Sequence, residues 1–334
     1  MIAFQTGKIL EDMFELAELL QTLNFPQLRH IQGRASISDV FPAGKRCGIY
    51  ILQFLNEEVY AGQALDVTRR YVQHSKTHND IVNISFKQVP KANLNDEERV
   101  AIWKLEHKGF HLRNIIFTSI PKGDSDFDLV MPPEEQQKWL DDFGQQDFSG
   151  TKGQDDTLRR KYHQKFQRFL KLPQSETATT LLRRYVQQSI PIPLRSEMSF
   201  WGCSCLPSYA KLGITVYSRI NINWQEVFTV LTAQGVLVSS FHLALSPLEH
   251  AFGTSLDLLF EKFPSLTSTE HFYEPGGHDQ LHIEIEGAES ALCLLEDTDI
   301  IKAIRLFNLR LMKKGPCAYS RYHCMDLSDR LIGI

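Results

Sequence analysis

Little in this 334-residue chain is extreme. Its six cysteines, Cys47, Cys203, Cys205, Cys293, Cys317 and Cys324, are too few and too scattered for a disulfide framework. They predict reduced thiols and a cytoplasmic protein. No apolar run approaches the ~20 residues needed to cross a bilayer, so no membrane partner is expected. The opening stretch MIAFQTGKILEDMFELAELLQ has no basic leader followed by an apolar run, and no signal peptide is expected. Net charge is −4, so bulk charge does not advertise a polyanion partner and local charge has to be read instead. There is no internal repeat and no low-complexity tract. What remains is 43% hydrophobic and 23% charged, the composition of a chain able to bury cores, and its length implies two or three domains.

The most informative stretch runs from Cys47 to Ala64, CGIYILQFLNEEVYAGQA. Two short apolar runs flank the polar turn Leu55-Asn56-Glu57-Glu58, each with one tyrosine and a nearby glycine: Tyr50 with Gly48, Tyr60 with Gly62. Period-2 alternation predicts a β-hairpin whose glycines admit close approach. Paired strands can then bring the two phenols within a few ångströms on one face. Upstream, Ile9, Met13, Leu16 and Leu20 recur at helical steps and predict an amphipathic packing helix over 8–22. Downstream, Asp66 is a candidate N-cap for a helix carrying Val67 and Tyr71, in which Arg70 and His74 share a face. Residues 81–89 alternate as a half-buried strand. Asn95-Asp96-Glu97-Glu98 opens a second helix closed by Gly109, and Asn114 precedes a further apolar strand, IIFTSI.

Gly48-Ile49-Tyr50, then Tyr60-Ala61-Gly62, then Arg70, His74, Glu98 and Asn114 resemble, in order and spacing, the GIY-YIG nuclease domain. The resemblance covers roughly residues 45–120. The chemistry is arguable from the residues themselves. Phosphodiester hydrolysis needs a deprotonated water, a stabilised charge on phosphorus and a neutralised leaving oxygen. Arg70 offers a permanently charged fork for phosphate oxygens. Glu98 is a hard oxygen ligand for one Mg²⁺ (or Mn²⁺) that keeps several waters. A phenol is an unusual base, with a reference pKa of about 10, and a neighbouring cation helps it ionise. The resemblance implies that Tyr60 takes this role while Tyr50 assists. It also implies that His74 contacts phosphate or relays a proton and that Asn114 orients backbone or metal waters. Gln63 stands where some members carry a lysine beside the base, which leaves the proton route open.

Taken singly, each residue also has an ordinary reading. The tyrosines would be strand aromatics, Glu98 a capping-box glutamate three residues after Asn95, Arg70 and His74 a solvated helix face, and Asn114 a turn residue. Their joint occurrence in family order is what favours the site.

Beyond the domain, residues 121–156 carry ten acidic and three basic residues and read as an acidic connector around one short helix near 134–143. From 157 to 195 the balance reverses. Arg159, Arg160, Lys161, Lys165 and Arg168 interleave with Tyr162, Phe166 and Phe169, a pattern that fits backbone-phosphate contacts as well as a solvated amphipathic helix. Residues 196–334 suggest an α+β unit, with strands at GITVYSRINI and QLHIEIEG and helices at 224–234, 246–262 and 297–314. Cys203, Cys205, Cys317, His323 and Cys324 lack the spacing of zinc ribbons or fingers and are expected to be buried core groups. His278, His282 and Glu284 alternate on a strand face that usually meets water.

The expectation is therefore an α+β chain. An N-terminal helix and lead-in occupy 1–44, and a small α/β GIY-YIG domain, a short antiparallel sheet flanked by helices, occupies 45–120. The connector follows at 121–156, and a larger α+β domain at 157–334 recognises the target. The implied function is a Mg²⁺-dependent DNA endonuclease of restriction or phage-defence type. Its rivals are a structure-specific repair nuclease and a silent nucleic-acid-binding protein. One metal site cuts one strand, so double-strand cleavage implies a homodimer or two visits.

Overall fold

The computed structural model describes residues 15–114, 118–119, 125–143, 147–209, 213–269, 271 and 273–333. The fold is α+β, and the chain divides into two units, Met1–Lys122 and Gly123–Ile334.

In the first unit, residues 15–22 are helical (α1). They are followed by β1 (Arg29–His30), β2 (Gly48–Phe54), β3 (Val59–Ala64), α2 (Val67–Thr77), β4 (Ile81–Gln88) and α3 (Leu94–His107). The strands form one antiparallel sheet in the order β1-β4-β2-β3. All seven residues of β2 are buried, as a central strand covered on both faces requires. Its alternation splits two cores. Ile49 and Ile51 pack with α1 and with Ala101, Ile102 and Leu105 of α3. Tyr50 and Leu52 pack with Val67 and Tyr71 of α2. Of the expected first helix, Leu16 and Leu20 lie in the α3-side core, while Ile9 and Met13 lie outside the described residues, as does most of IIFTSI.

The predicted caps are present. Asp66 accepts from the backbone N–H groups of Thr68 and Arg69 at the start of α2. At the end of α3, Gly109 (φ +84) donates to the Glu106 carbonyl and Phe110 to that of Leu105, the paired bonds of a Schellman ending. One reading is corrected. Helix α3 begins at Leu94, with Asn93 as its N-cap residue, so Glu98 sits in the second turn and is no capping-box glutamate.

The second unit contains α4 (Pro133–Asp141), α5 (Asp156–Phe169), α6 (Ser175–Ser189), α7 (Pro193–Ser196), β5 (Trp201–Cys205), β6 (Ile214–Ile222), β7 (Gln225–Ala233) and β8 (Val236–Leu243). It continues with α8 (Leu245–Phe252), α9 (Asp257–Lys262), β9 (Leu266–Thr269), β10 (Leu281–Glu286), α10 (Ala288–Glu296), α11 (Thr298–Lys313) and α12 (Met325–Ile332). Its antiparallel sheet runs β5-β6-β7-β8-β10-β9, and one continuous core includes residues of both the sheet and the helices.

Several expectations for this half fail for identifiable reasons. The stretch expected as an acidic connector buries Phe127, Met131 and Trp139 in that core. It is anchored by buried Arg305, which donates to the carbonyls of Trp139 and Asp142. Residues 225–233 form strand β7 rather than a helix: the segment is rich in β-branched Val and Thr, and Asn223 (φ +52) with Trp224 makes the turn from β6. The helix expected at 246–262 is two helices, because Gly253 takes φ +84 and stops the first. Leu158, Tyr162, Phe166 and Phe169 on α5 are buried, so the aromatics interleaved with its cations are a core stripe at helical period and are not available to stack on bases.

Candidate active site

The hairpin brings the predicted residues together through its register. Tyr50 pairs with Gly62 and Leu52 with Tyr60, so the two tyrosines are diagonal neighbours on the α2 face of the sheet, their ring centroids 6.0 Å apart. Gly62 makes this packing feasible. A Cβ there would lie 2.5 Å from the Tyr50 hydroxyl oxygen and 2.6 Å from the edge of the Tyr60 ring, closer than real side chains come. Gly48 plays a parallel part, its missing Cβ allowing β4 to approach: a Cβ would meet the Lys87 carbonyl oxygen at 2.0 Å.

Helix α2 supplies a cation, Arg70, and the imidazole of His74. Arg70 Nε donates to the Tyr50 hydroxyl at 3.3 Å, and that hydroxyl lies 2.8 Å from His74 Nε2. The guanidinium can only donate, so Tyr50 is left to donate its own hydrogen to His74. The His74 ring also packs 4.7 Å from that of Tyr60. Burial, with Arg70 and His78 adding to it, lowers the His74 pKa to about 4, so the imidazole is neutral at physiological pH and suited to accept. Burial and then the adjacent Tyr60 push the Tyr50 phenol well above its ordinary range, against the pull of Arg70. Tyr50 is fully buried, whereas Tyr60 is half-buried. Of the two tyrosines, Tyr60 is the more open to solvent.

Glu98 and Asn114 approach from the other layer. Alternation along β3 turns Tyr60 and Gly62 toward α2 and Val59, Ala61 and Gln63 toward α3. Glu98 is buried, and its Oε2 accepts from Gln63 Nε2 at 2.9 Å, while the same amide donates to Asn95 Oδ1 at 2.7 Å. Gln63 is thus engaged with the start of α3 rather than beside Tyr60. Asn114 brackets Ala61, accepting from its N–H at 2.9 Å and donating to its carbonyl at 2.5 Å. Strand β3 is the sheet edge, and this side chain supplies the bonds that a neighbouring strand would. Backbone bonds from Val59 to His111 and from Arg113 to Val59, both 2.8 Å, continue the cover.

Sequence reasoning missed Arg113. It pairs with Glu58 at 2.5 Å and Asp80 at 2.6 Å and lies over the Phe54 ring at 3.7 Å, fastening the hairpin turn one residue before Asn114. Nothing in the local pattern marks it, because its three partners are distant in sequence.

The cations expected to bind DNA on α5 differ among themselves. Arg159 pairs with Asp326 at 2.6 Å and Asp329 at 2.7 Å, and Lys165 donates to the Leu206 carbonyl at 3.1 Å. These two serve the fold, whereas Arg160, Lys161 and Arg168 are exposed. The cysteines are core groups: Cys203, Cys205, Cys317 and Cys324 are buried. His323 is spent on Glu197, at 3.0 Å, and on the Cys203 N–H, at 3.1 Å.

Comparison of the chain with protein-family models, curated proteins and solved structures gives no match.

Proposed function

We propose that the first unit is a GIY-YIG-type phosphodiesterase acting on DNA. The observation that carries this reading is the cluster of Tyr50, Tyr60, Arg70 and His74 on one sheet face, with Gly62 leaving room for both phenols. A core has no need of an arginine and a histidine on the same buried phenol. Arg70 is suited to hold two phosphate oxygens through nitrogens that Tyr50 does not occupy. Tyr50, buried and bonded on both sides, fixes the orientation of Arg70 and His74. Tyr60, half-buried, is the base that accepts a proton from the attacking water.

The α3 layer fits a divalent cation. Glu98 brings a buried carboxylate and Asn95 an amide oxygen to one Gln63 side chain, an all-oxygen donor set that suits Mg²⁺ or Mn²⁺ with the remaining positions left to water and substrate. Such an ion supplies charge neutralisation for phosphate and leaving oxygen. On this reading the scissile phosphate lies at the edge of β3, where side chains of both layers emerge. Recognition by the second unit, and cleavage of duplex DNA by a homodimer, belong to the same proposal.

The test is plasmid cleavage with Mg²⁺ by the full chain beside Tyr60→Phe and Glu98→Ala. Loss of a base typically costs about 10²–10⁴ in rate, so both variants should be nearly silent and EDTA should stop the wild type. Equal cleavage by all three proteins, or cleavage in EDTA, would sink the assignment. Branched and linear substrates in the same assay separate a repair nuclease from a restriction enzyme.

A further inference from the structure

We infer that the second unit holds a transition-metal ion, with zinc the first candidate, on His242, His271 and His282. These residues lie outside the proposed nuclease site, and the inference does not depend on it. His242 of β8 and His282 of β10 are directly paired across antiparallel strands, so both side chains project from one face of the sheet. Their rings stack with centroids 4.4 Å apart. His271, two residues beyond the end of β9, brings its ring to 5.7 Å from His242 and 5.4 Å from His282. One ring nitrogen of each histidine lies within 4.8 Å of the others.

Three further observations favour a ligand. His242 is only 4% exposed, yet its Nδ1 has no hydrogen-bond partner among the described residues. Leaving such a nitrogen unpaired is unfavourable, a cost that a metal bond removes. His282 has a hydroxyl at each nitrogen, Ser240 at Nε2 (2.7 Å) and Thr269 at Nδ1. When one nitrogen takes the metal, the hydroxyl at the other fixes the ring and its tautomer, as the outer partners of metal-bound histidines do. Finally, the three rings open on a cavity of about 220 Å³ that Tyr273, Thr229 and the Arg219–Glu226 ion pair also line.

Three neutral nitrogen donors select a transition metal over Mg²⁺ or Ca²⁺, and three protein ligands leave a fourth tetrahedral position for water or an anion from the cavity. Tetrahedral zinc with bonds near 2.0–2.1 Å needs nitrogens about 3.3 Å apart, so nitrogens now within 4.8 Å of one another must close by up to about 1.5 Å. His271, exposed, is the ring free to swing inward.

The full chain, loaded with Zn²⁺ and desalted, should retain about one zinc per molecule by mass spectrometry. The metal should also raise the melting temperature, because it binds the assembled site of the folded state more tightly than the unfolded chain. His271→Ala, a change at the surface that does not threaten folding, should lower zinc affinity at least about tenfold and abolish the thermal shift. Glu98→Ala should retain the zinc, which separates this site from the other. In the same assay Co²⁺ should give the visible bands of a tetrahedral nitrogen-ligated ion. Retention no greater than background, or equal retention and equal thermal shift in His271→Ala, would overturn the inference.

Discussion

Each unit sets an imidazole among side chains from paired antiparallel strands, but the chain arrives at the two clusters by different routes. Tyr50 and Tyr60 sit on adjacent strands of one hairpin, and the helix bearing Arg70 and His74 follows at once. His242 and His282 are paired just as directly, yet α8, α9 and β9 intervene between them. The first cluster is local in sequence and the second exists only through register. The first is also crowded, with room made by a glycine, whereas the second opens on a cavity. A crowded cluster whose buried phenol is bonded on both sides is suited to orient, and an open one with an orphaned nitrogen is suited to receive.

The comparison is broken most forcefully at Asn114. If the hairpin cluster were set by local sequence alone, a residue on the far layer would matter little. Asn114→Ala instead leaves the N–H and carbonyl of Ala61, between Tyr60 and Gly62, without their partner. Each buried unpaired group costs about 1–3 kcal/mol. Urea denaturation should show a loss toward the upper part of the combined range, with cleavage falling as well. A loss within ±0.5 kcal/mol would mean that the edge of β3 is held by other means.

Gly62→Ala probes the crowding itself. A methyl group 2.5 Å from the Tyr50 hydroxyl must push a fully buried ring, and overpacking of this kind costs about 1–3 kcal/mol. The displaced phenol should also lose its bonds to His74 and Arg70. Denaturation midpoints and cleavage rates should therefore fall together. Normal activity at reduced stability would show that Tyr50 need not be fixed for the site to work.

How far each cluster was legible follows from the same contrast. Tyr50, Tyr60, Gly62, Arg70 and His74 were readable because strand alternation, a turn and a capped helix place them within about 25 residues by local rules. Glu98 was legible by type, but not the layer from which it reaches β3, since that depends on how α3 packs. His282 was recognisable as a strand residue, but its pairing with His242 needs the β8–β10 register, and no period within one strand encodes a partner in another. The α5 cations could not be told apart for a related reason: Asp326 and Asp329, the partners of Arg159, lie on α12. The helix expected at 225–233 failed differently, a short apolar run being ambiguous between helix and strand until β-branching is weighed.

The smallest expected effect is one of pH, and it sharpens what the hairpin cluster does with its imidazole. His74 is lowered from its ordinary 6.5 to about 4 by burial first, then by Arg70 and His78. In the unfolded chain the imidazole takes up a proton near 6.5, while in the folded protein it stays neutral until about pH 4. Between those values the unfolded state binds more protons, so the neutral, bonded His74 contributes stability that is fully present above 6.5 and is lost as pH falls toward 4. The ring is partly open to solvent, so the slope should be shallow. His74→Gln, which keeps a group able to bond Tyr50 but cannot titrate, should flatten that part of the stability profile relative to wild type while leaving the profile above pH 7 parallel. Identical profiles from pH 7 to 4 would mean that folding does not lower the His74 pKa, and below its ordinary 6.5 the Tyr50 hydroxyl would then be accepting from it instead of donating.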